Sequence, residues 1–135
     1  MDILMKPIGY IQSPFKEKKH IPKQATISEG ISASIQLLNE YEVGIEDIHE
    51  GSYGIILFYF HESEGYSLKT ISHKTGKMRG IFSTRSPNRP NGIGFSIVKF
   101  TKIHGTTIEF QGVDMIDGTP VLDIKPYDEE LNPKI

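Results

Sequence analysis

A mainly β protein, an antiparallel barrel with one short helix, is the fold class the sequence predicts. About seven short apolar stretches are each closed by Gly, Pro, Asn or Asp signals. No strand–helix–strand alternation runs through the chain, so a doubly wound nucleotide fold is not expected. With 135 residues and 37% apolar content, the expectation is one domain over residues 1–135 with a single sizeable core.

Each element has its own signal. Lys6 to Gln12 reads as a short strand ended by Ser13-Pro14. From Ser32 to Leu38, Ala33, Ile35 and Leu37 fall on one face, the period of a half-buried strand. Tyr41 to His49 is the one plausible helix: Val43, Ile45 and Ile48 sit among acids at loosely helical spacing, with Asn39 available as a cap. Tyr53 to Phe60 is a continuous apolar run, which fits a strand buried on both faces. Residues 62–77 are polar and read as a long mobile loop. Met78 to Thr84 is read as a strand leading into the loop Arg85 to Gly94. Gly94 to Ile103 and Thr106 to Gly112 form a hairpin through His104-Gly105. Val121 to Lys125 is the last strand, ended by Pro126, and Asp128 to Ile135 is expected to fray.

Composition removes several classes of function. There is no cysteine, which excludes disulfides, thiol nucleophiles and thiolate metal sites. His20, His49, His61, His73 and His104 form no metal-ligand pair at helical spacing, so no metal is expected. No apolar run approaches a membrane span and no secretory signal is visible, so a cytoplasmic location is expected. Net charge is −2, which alone argues against a nucleic-acid partner. The distribution argues otherwise. From Gly65 to Ile108 there is no Asp or Glu, while Lys69, Lys74, Lys77, Arg79, Arg85, Arg89, Lys99 and Lys102 all fall there. Charge polarised in this way can steer an anionic partner.

The segment Arg85 to Gly94, RSPNRPNGIG, holds two arginines, two prolines, two asparagines and two glycines. Such a stretch is neither helix nor central strand. It is a shaped loop that presents guanidinium groups to something anionic or planar. The fragment Gly92-x-Gly94 lacks the strand-then-helix context of a dinucleotide fold. His61-Glu62 follows the apolar run directly and so lies at the strand's mouth. Asp114 to Thr119, DMIDGT, reads as a turn around Asp117-Gly118.

Four segments in order, Ile8 to Gln24, Gly54 to Glu62, Gly80 to Val98 and Gly112 to Tyr127, resemble the TrmO (YaeB-like) transfer-RNA methyltransferases. The resemblance implies a single-sheeted β-barrel, S-adenosyl-L-methionine as methyl donor, a homodimer, and methylation of N6 of N6-threonylcarbamoyladenosine beside the anticodon. By position, the cofactor contacts it implies are Pro22, Lys23, Gln24, His61, Glu62, Arg85, Phe95, Ile116, Asp117, Gly118 and Thr119. Arg89, Lys19 and Asn91 are the candidates for contacts to tRNA. His61 is the first candidate for a general base and Asp114 the second. Phe95 is placed on an apolar wall, and Phe82 is assigned chiefly to the core. The chain departs from the family pattern at Gly92 (usually Pro), at Glu62 (usually Gln) and at Lys23 (usually Arg). Longer relatives carry a C-terminal extension, and this chain stops soon after Tyr127. A non-enzymatic barrel that binds S-adenosylmethionine or RNA is the alternative reading.

Overall fold

Alternation of inward and outward side chains builds the barrel. In the computed structural model, which describes residues 1–17 and 30–135, strand β6 (Ile93–His104) turns Gly94, Ser96, Val98 and Phe100 inward and Ile93, Phe95 and Ile97 outward. β1 (Gly9–Gln12), β2 (Ser32–Leu37), β3 (Tyr53–Tyr59), β7 (Thr107–Gln111) and β8 (Pro120–Pro126) complete a closed sheet in the order β1-β2-β7-β6-β3-β8. Every pairing is antiparallel, and β1 pairs with β8 to close the ring. Closure removes the exposed edges of an open sheet. Register shifts at Leu57/Phe58 and Phe100/Lys102 supply the local bends a small barrel needs.

The interior is filled by Ile11, Ile35, Ile56, Val98, Phe100, Ile108 and Phe110, none more than 2% exposed. Phe58 and Phe100 fit because glycines face them: a Cβ on Gly94 would overlap the Phe58 ring, and one on Gly54 the Phe100 ring. The link from β7 to β8 adds Val113 and Met115 to the same core cluster. The ends of β1, β3 and β7 and the starts of β2, β6 and β8 therefore meet at one end of the barrel.

Several expectations are corrected. The helix assigned to Tyr41–His49 is a 3-10 helix over Asn39–Ile45 that buries none of its residues, and Val43 is 74% exposed. Ile45 packs half-buried against the core, and i→i+3 bonds such as Tyr41 N–H to Leu38 O at 3.0 Å hold the short segment. Asn39 is its first residue rather than its cap, which is Leu38 with no side-chain bond. The run through β3 is not buried on both faces: Ile56 and Phe58 face the core, while Tyr53 and Tyr59 are exposed. No second layer covers this outer surface among the described residues.

The polar stretch 62–77 contains strand β4 (Lys69–Ile71), which pairs with β5 (Met78–Gly80) as a separate ribbon. The strand expected over Met78–Thr84 stops at Gly80, and Ile81–Ser83 forms a 3-10 turn. Ile81 takes the core position there, at 1% exposure, and Phe82 stands out at 75%. The first strand starts at Gly9, just after Pro7, which has no N–H to donate. The tail forms a turn at Asp128, whose carbonyl accepts from the N–H groups of Leu131 and Asn132 at 3.0 and 2.8 Å.

Candidate functional site

A tight turn, Ile116 to Thr119, is anchored to the end of β1 by a set of mutual hydrogen bonds. Gly118 N–H donates to Ile11 O at 2.8 Å, Ile11 N–H to Thr119 O at 2.9 Å, and Asp117 N–H to Phe15 O at 2.7 Å. Thr119 is buried, and its hydroxyl donates to Ile116 O at 2.6 Å. The Asp117 carboxylate accepts from Ser13 N–H at 3.0 Å and pairs with Lys16 Nζ at 3.0 Å. These two partners, the Ser13 N–H first, hold its pKa below the usual carboxylate value. Gly118 has φ +83°, the left-handed region that the turn requires. A Cβ there would lie 3.9 Å from His61 Nε2, so the imidazole faces the bare backbone of Gly118 across open space. His61 reaches that point because β3 ends just before it, with His61 N–H donating to Tyr59 O at 2.9 Å. Glu62 follows it, exposed.

The arginine loop splits its two guanidinium groups between different tasks. Arg85 lies with its guanidinium carbon 5.4 Å from the centroid of Phe95, which faces outward on β6 at 41% exposure. Arg89 turns back into its own loop, where Nη1 donates to Thr84 O at 2.9 Å and Ser86 O at 3.2 Å. Thr84 and Ser86 hydroxyls accept from the N–H groups of Ser86 and Asn88, each at 3.3 Å. Gly92 O accepts from Phe60 N–H at 2.8 Å, and Asn91 O from Ile93 N–H at 2.8 Å. The loop is thus tied to the end of β3, beside His61. A Cβ added at Gly92 would meet Phe60 and Tyr59 only at ordinary contact distance, so the glycine is not required by packing there.

A third feature joins two separate stretches of sequence, at Ser96 and Asp114. Asp114 is half-buried, and the Ser96 hydroxyl donates to its Oδ1 at 2.6 Å. Burial pushes the Asp114 carboxyl above its usual pKa; Ser96, the Asp114 N–H and the field of Arg85 oppose that rise. Arg85 therefore bears on both the Phe95 ring and the Asp114 carboxyl.

His61, Asp117, Gly118, Thr119 and Ile116 meet at one end of the barrel, and Arg85, Phe95 and Asp114 form a neighbouring set. Lys19, Pro22, Lys23 and Gln24 lie outside the described residues. Ser13, Lys16 and Ser96 are the participants that sequence reasoning missed. Ser96 had a signal, a polar residue at an inward position of an apolar alternation. An open groove of ≈ 500 Å³ borders the Lys16–Asp117 pair on the side of Ser32 and Ser34. No group of three or more His, Asp or Glu residues gathers as metal ligands among the described residues.

The surroundings fit a compact, charged, nucleoside-bearing ligand. Gly118 offers backbone with no side chain in the way, Asp117 and Glu62 are carboxylates for cationic or hydroxyl groups, and Phe95 offers an aromatic face.

Comparison with known proteins agrees with this chemistry. The sequence profile of the tRNA-methyltransferase O N-terminal domain matches residues 10–132. The chain is 41% identical to the tRNA (adenine(37)-N6)-methyltransferase of Mus musculus, over 93% of this chain and 31% of that one. It is 33% identical to an S-adenosyl-L-methionine-binding protein of Archaeoglobus fulgidus, over 96% of this chain and 93% of that one. The crystal structure of TrmO from Pseudomonas aeruginosa superposes with a TM-score of 0.80 at 34% identity, over 98% of this chain and 58% of that one. The chain thus spans about a third of the mouse protein and a little over half of the bacterial one.

Proposed function

The chain belongs to the tRNA-methyltransferase O N-terminal domain family, and on that premise we propose that it methylates N6 of an adenine in tRNA with S-adenosylmethionine as donor. The finer reading is that the acceptor is the ureido nitrogen of N6-threonylcarbamoyladenosine. The observation that carries it is the cradle at Gly118, a left-handed glycine fixed by β1 and faced by His61 Nε2.

When bound, S-adenosylmethionine supplies a methyl carbon on a sulfonium, open to in-line displacement. Its binding would fall to the exposed backbone of Gly118, whose turn Thr119 shapes from a buried position, and to Asp117 and Glu62 through their carboxylates at cationic and hydroxyl groups. Phe95, under the Arg85 guanidinium, excludes water from one wall. The acceptor nitrogen is a weak nucleophile until its proton leaves. His61 Nε2 is the group that would accept that proton, a role worth roughly 10²–10⁴ in rate. Asp114, locked under Ser96, is the second candidate and better placed to orient Arg85 than to exchange protons with solvent. Arg85 is offered to the threonyl carboxylate or a phosphate.

The homodimer belongs to the same reading. Ile55, Leu57, Phe95 and Ile97 lie side by side on the outer surface of β3 and β6, where a second copy would cover them.

Labelled S-adenosylmethionine and tRNA from cells with and without the threonylcarbamoyl modification test the proposal. Transfer only to modified tRNA supports the full reading. Transfer to both supports the methyltransferase but not the acceptor. Cofactor binding without transfer to either overturns it in favour of a binding module.

A further inference from the structure

A second cleft, of ≈ 430 Å³, opens between the N-terminal segment and the arginine loop, and neither His61, Asp117 nor Gly118 lines it. Its walls combine apolar side chains, Ile3, Met5, Ile93 and Leu122 among them, with flat and polar groups. Tyr59 and Tyr66 line it at 46% and 56% exposure. Phe60 adds a third ring, held edge-on to Phe58 with centroids 5.2 Å apart. Arg89 and Asn91 lie on the same lining. No Asp or Glu lines the cleft.

That combination selects among ligands. An apolar peptide has no use for a guanidinium and an amide. A bare anion has no use for exposed aromatic faces. An unpaired nucleobase with its phosphate uses all three: π faces for stacking, an amide with donor and acceptor for a base edge, and a cation for the phosphate. Arg89 is fixed for this work, because its Nη1 is already held by Thr84 O and Ser86 O. Tyr66 also leads into the β4–β5 ribbon, where Lys69 and Arg79 are exposed in a stretch free of acids from Gly65 to Ile108.

We infer that this cleft takes an unpaired nucleobase of the RNA other than the one methylated, stacked on Tyr59 or Tyr66 with Arg89 at its phosphate. The inference rests on the tRNA reading and adds a second point of RNA recognition to it. Both tyrosines are exposed, so their removal leaves the core intact.

The test uses the full chain and a synthetic anticodon stem-loop RNA carrying 5-iodouridine at single loop positions. Photocrosslinking to Tyr59 or Tyr66, located by mass spectrometry, is expected. Tyr66→Ala with Tyr59→Ala should weaken RNA binding roughly ten- to a hundredfold, while Tyr→Phe at both positions retains most of it. The rise in melting temperature on adding S-adenosylmethionine should not change. Wild-type RNA affinity in the double Ala variant, with methyl transfer intact, overturns the inference and leaves the methyltransferase reading standing. Loss of the cofactor-induced rise in the same variant also overturns it, since the cleft would then belong to the donor. Absence of any RNA binding by the wild-type chain overturns both.

Discussion

Ser96 donates its hydroxyl to the carboxylate of Asp114 at 2.6 Å, from an inward position of β6 to a half-buried position on the β7–β8 link. Burial raises the Asp114 pKa in the folded chain, so the native state holds that proton more tightly than the unfolded one. Stability linked to Asp114 is then greatest when the group is protonated, and falls as pH rises from about 4 through the raised value. Asp114→Asn removes this dependence and should gain on the wild type as pH rises. Ser96→Ala leaves the ionised carboxyl without its donor and should cost about 2 kcal/mol near neutral pH, with a steeper fall in stability as pH rises. Thermal melts across a pH series read both effects. Parallel curves for wild type and Asp114→Asn would show that the carboxyl is not buried as described.

Asp117 behaves with the opposite sign. Ser13 N–H and Lys16 hold its pKa low, so its stabilising contribution is present above the ordinary carboxylate value and is lost as pH falls through the lowered one. Asp117→Asn should therefore match the wild type in strong acid, fall behind it as pH rises from the lowered value to about 4, and stay behind by a constant amount above that. The pair with Lys16 is surface-exposed, so added salt should narrow the gap. A gap of constant size at all pH values would remove the ionised carboxylate from the account.

Gly118→Ala puts an L side chain at φ +83° and should cost about 1–2 kcal/mol, or about 4 °C in melting temperature. Its methyl group would also enter the space in front of His61. Gly105→Ala is the control, because Gly105 has φ +57° in the β6–β7 turn and no neighbour within 4 Å. Both variants should lose stability, and only Gly118→Ala should lose the melting-temperature rise produced by S-adenosylmethionine. Equal retention of that rise in the two would place the donor elsewhere.

Gly92 and Gly94 separate a turn glycine from a packing glycine. A Cβ at Gly92 meets Phe60 and Tyr59 at 3.5 Å, ordinary contact, so Gly92→Ala should fall within about 0.5 kcal/mol of wild type. Gly94→Ala drives a methyl into the Phe58 ring and should cost about 3 kcal/mol or more. Phe58→Leu in the same chain should recover part of that loss. Equal tolerance at both positions, by denaturant unfolding, would contradict the packing of Phe58.

The barrel was legible because its information is local. Period-two alternation in Ser32–Leu37 and Ile93–His104, with turn formers between, marks strands without any knowledge of their partners. The 3-10 segment misled because Val43, Ile45 and Ile48 have helical spacing, yet only Ile45 and Ile48 pack, half-buried, against the core while Val43 stands exposed. The β4–β5 ribbon was hidden because three-residue strands give too few alternations to count. Loop ends such as His61 and Asp117 could be found from their chemistry. The bond from Ser13 to Asp117 could not, since 104 positions separate them and only barrel closure brings them together. That Arg85 and Arg89 do different work was equally invisible, since both carry the same charge in the same loop.

The two arginines can be told apart by what lysine rescues. Over Phe95, Arg85 acts through a planar face and a charge. Arg85→Lys keeps the charge and loses the planar stack, so it should restore only part of the activity that Arg85→Ala removes. Arg89 combines a geometric task with an electrostatic one. Its Nη1 braces two carbonyls, which a lysine amine does not reproduce in the same fork, while its charge faces the cleft. Arg89→Lys should therefore lose about 1 kcal/mol of stability yet keep the salt dependence of tRNA binding. Arg89→Ala should lose both, with the slope of log affinity against log salt reduced by about 0.7 for one contact to a single strand. Titrations at several salt concentrations decide the matter. If Arg89→Ala lowers stability but leaves the slope untouched, Arg89 serves the loop alone and the phosphate contact belongs to other cations.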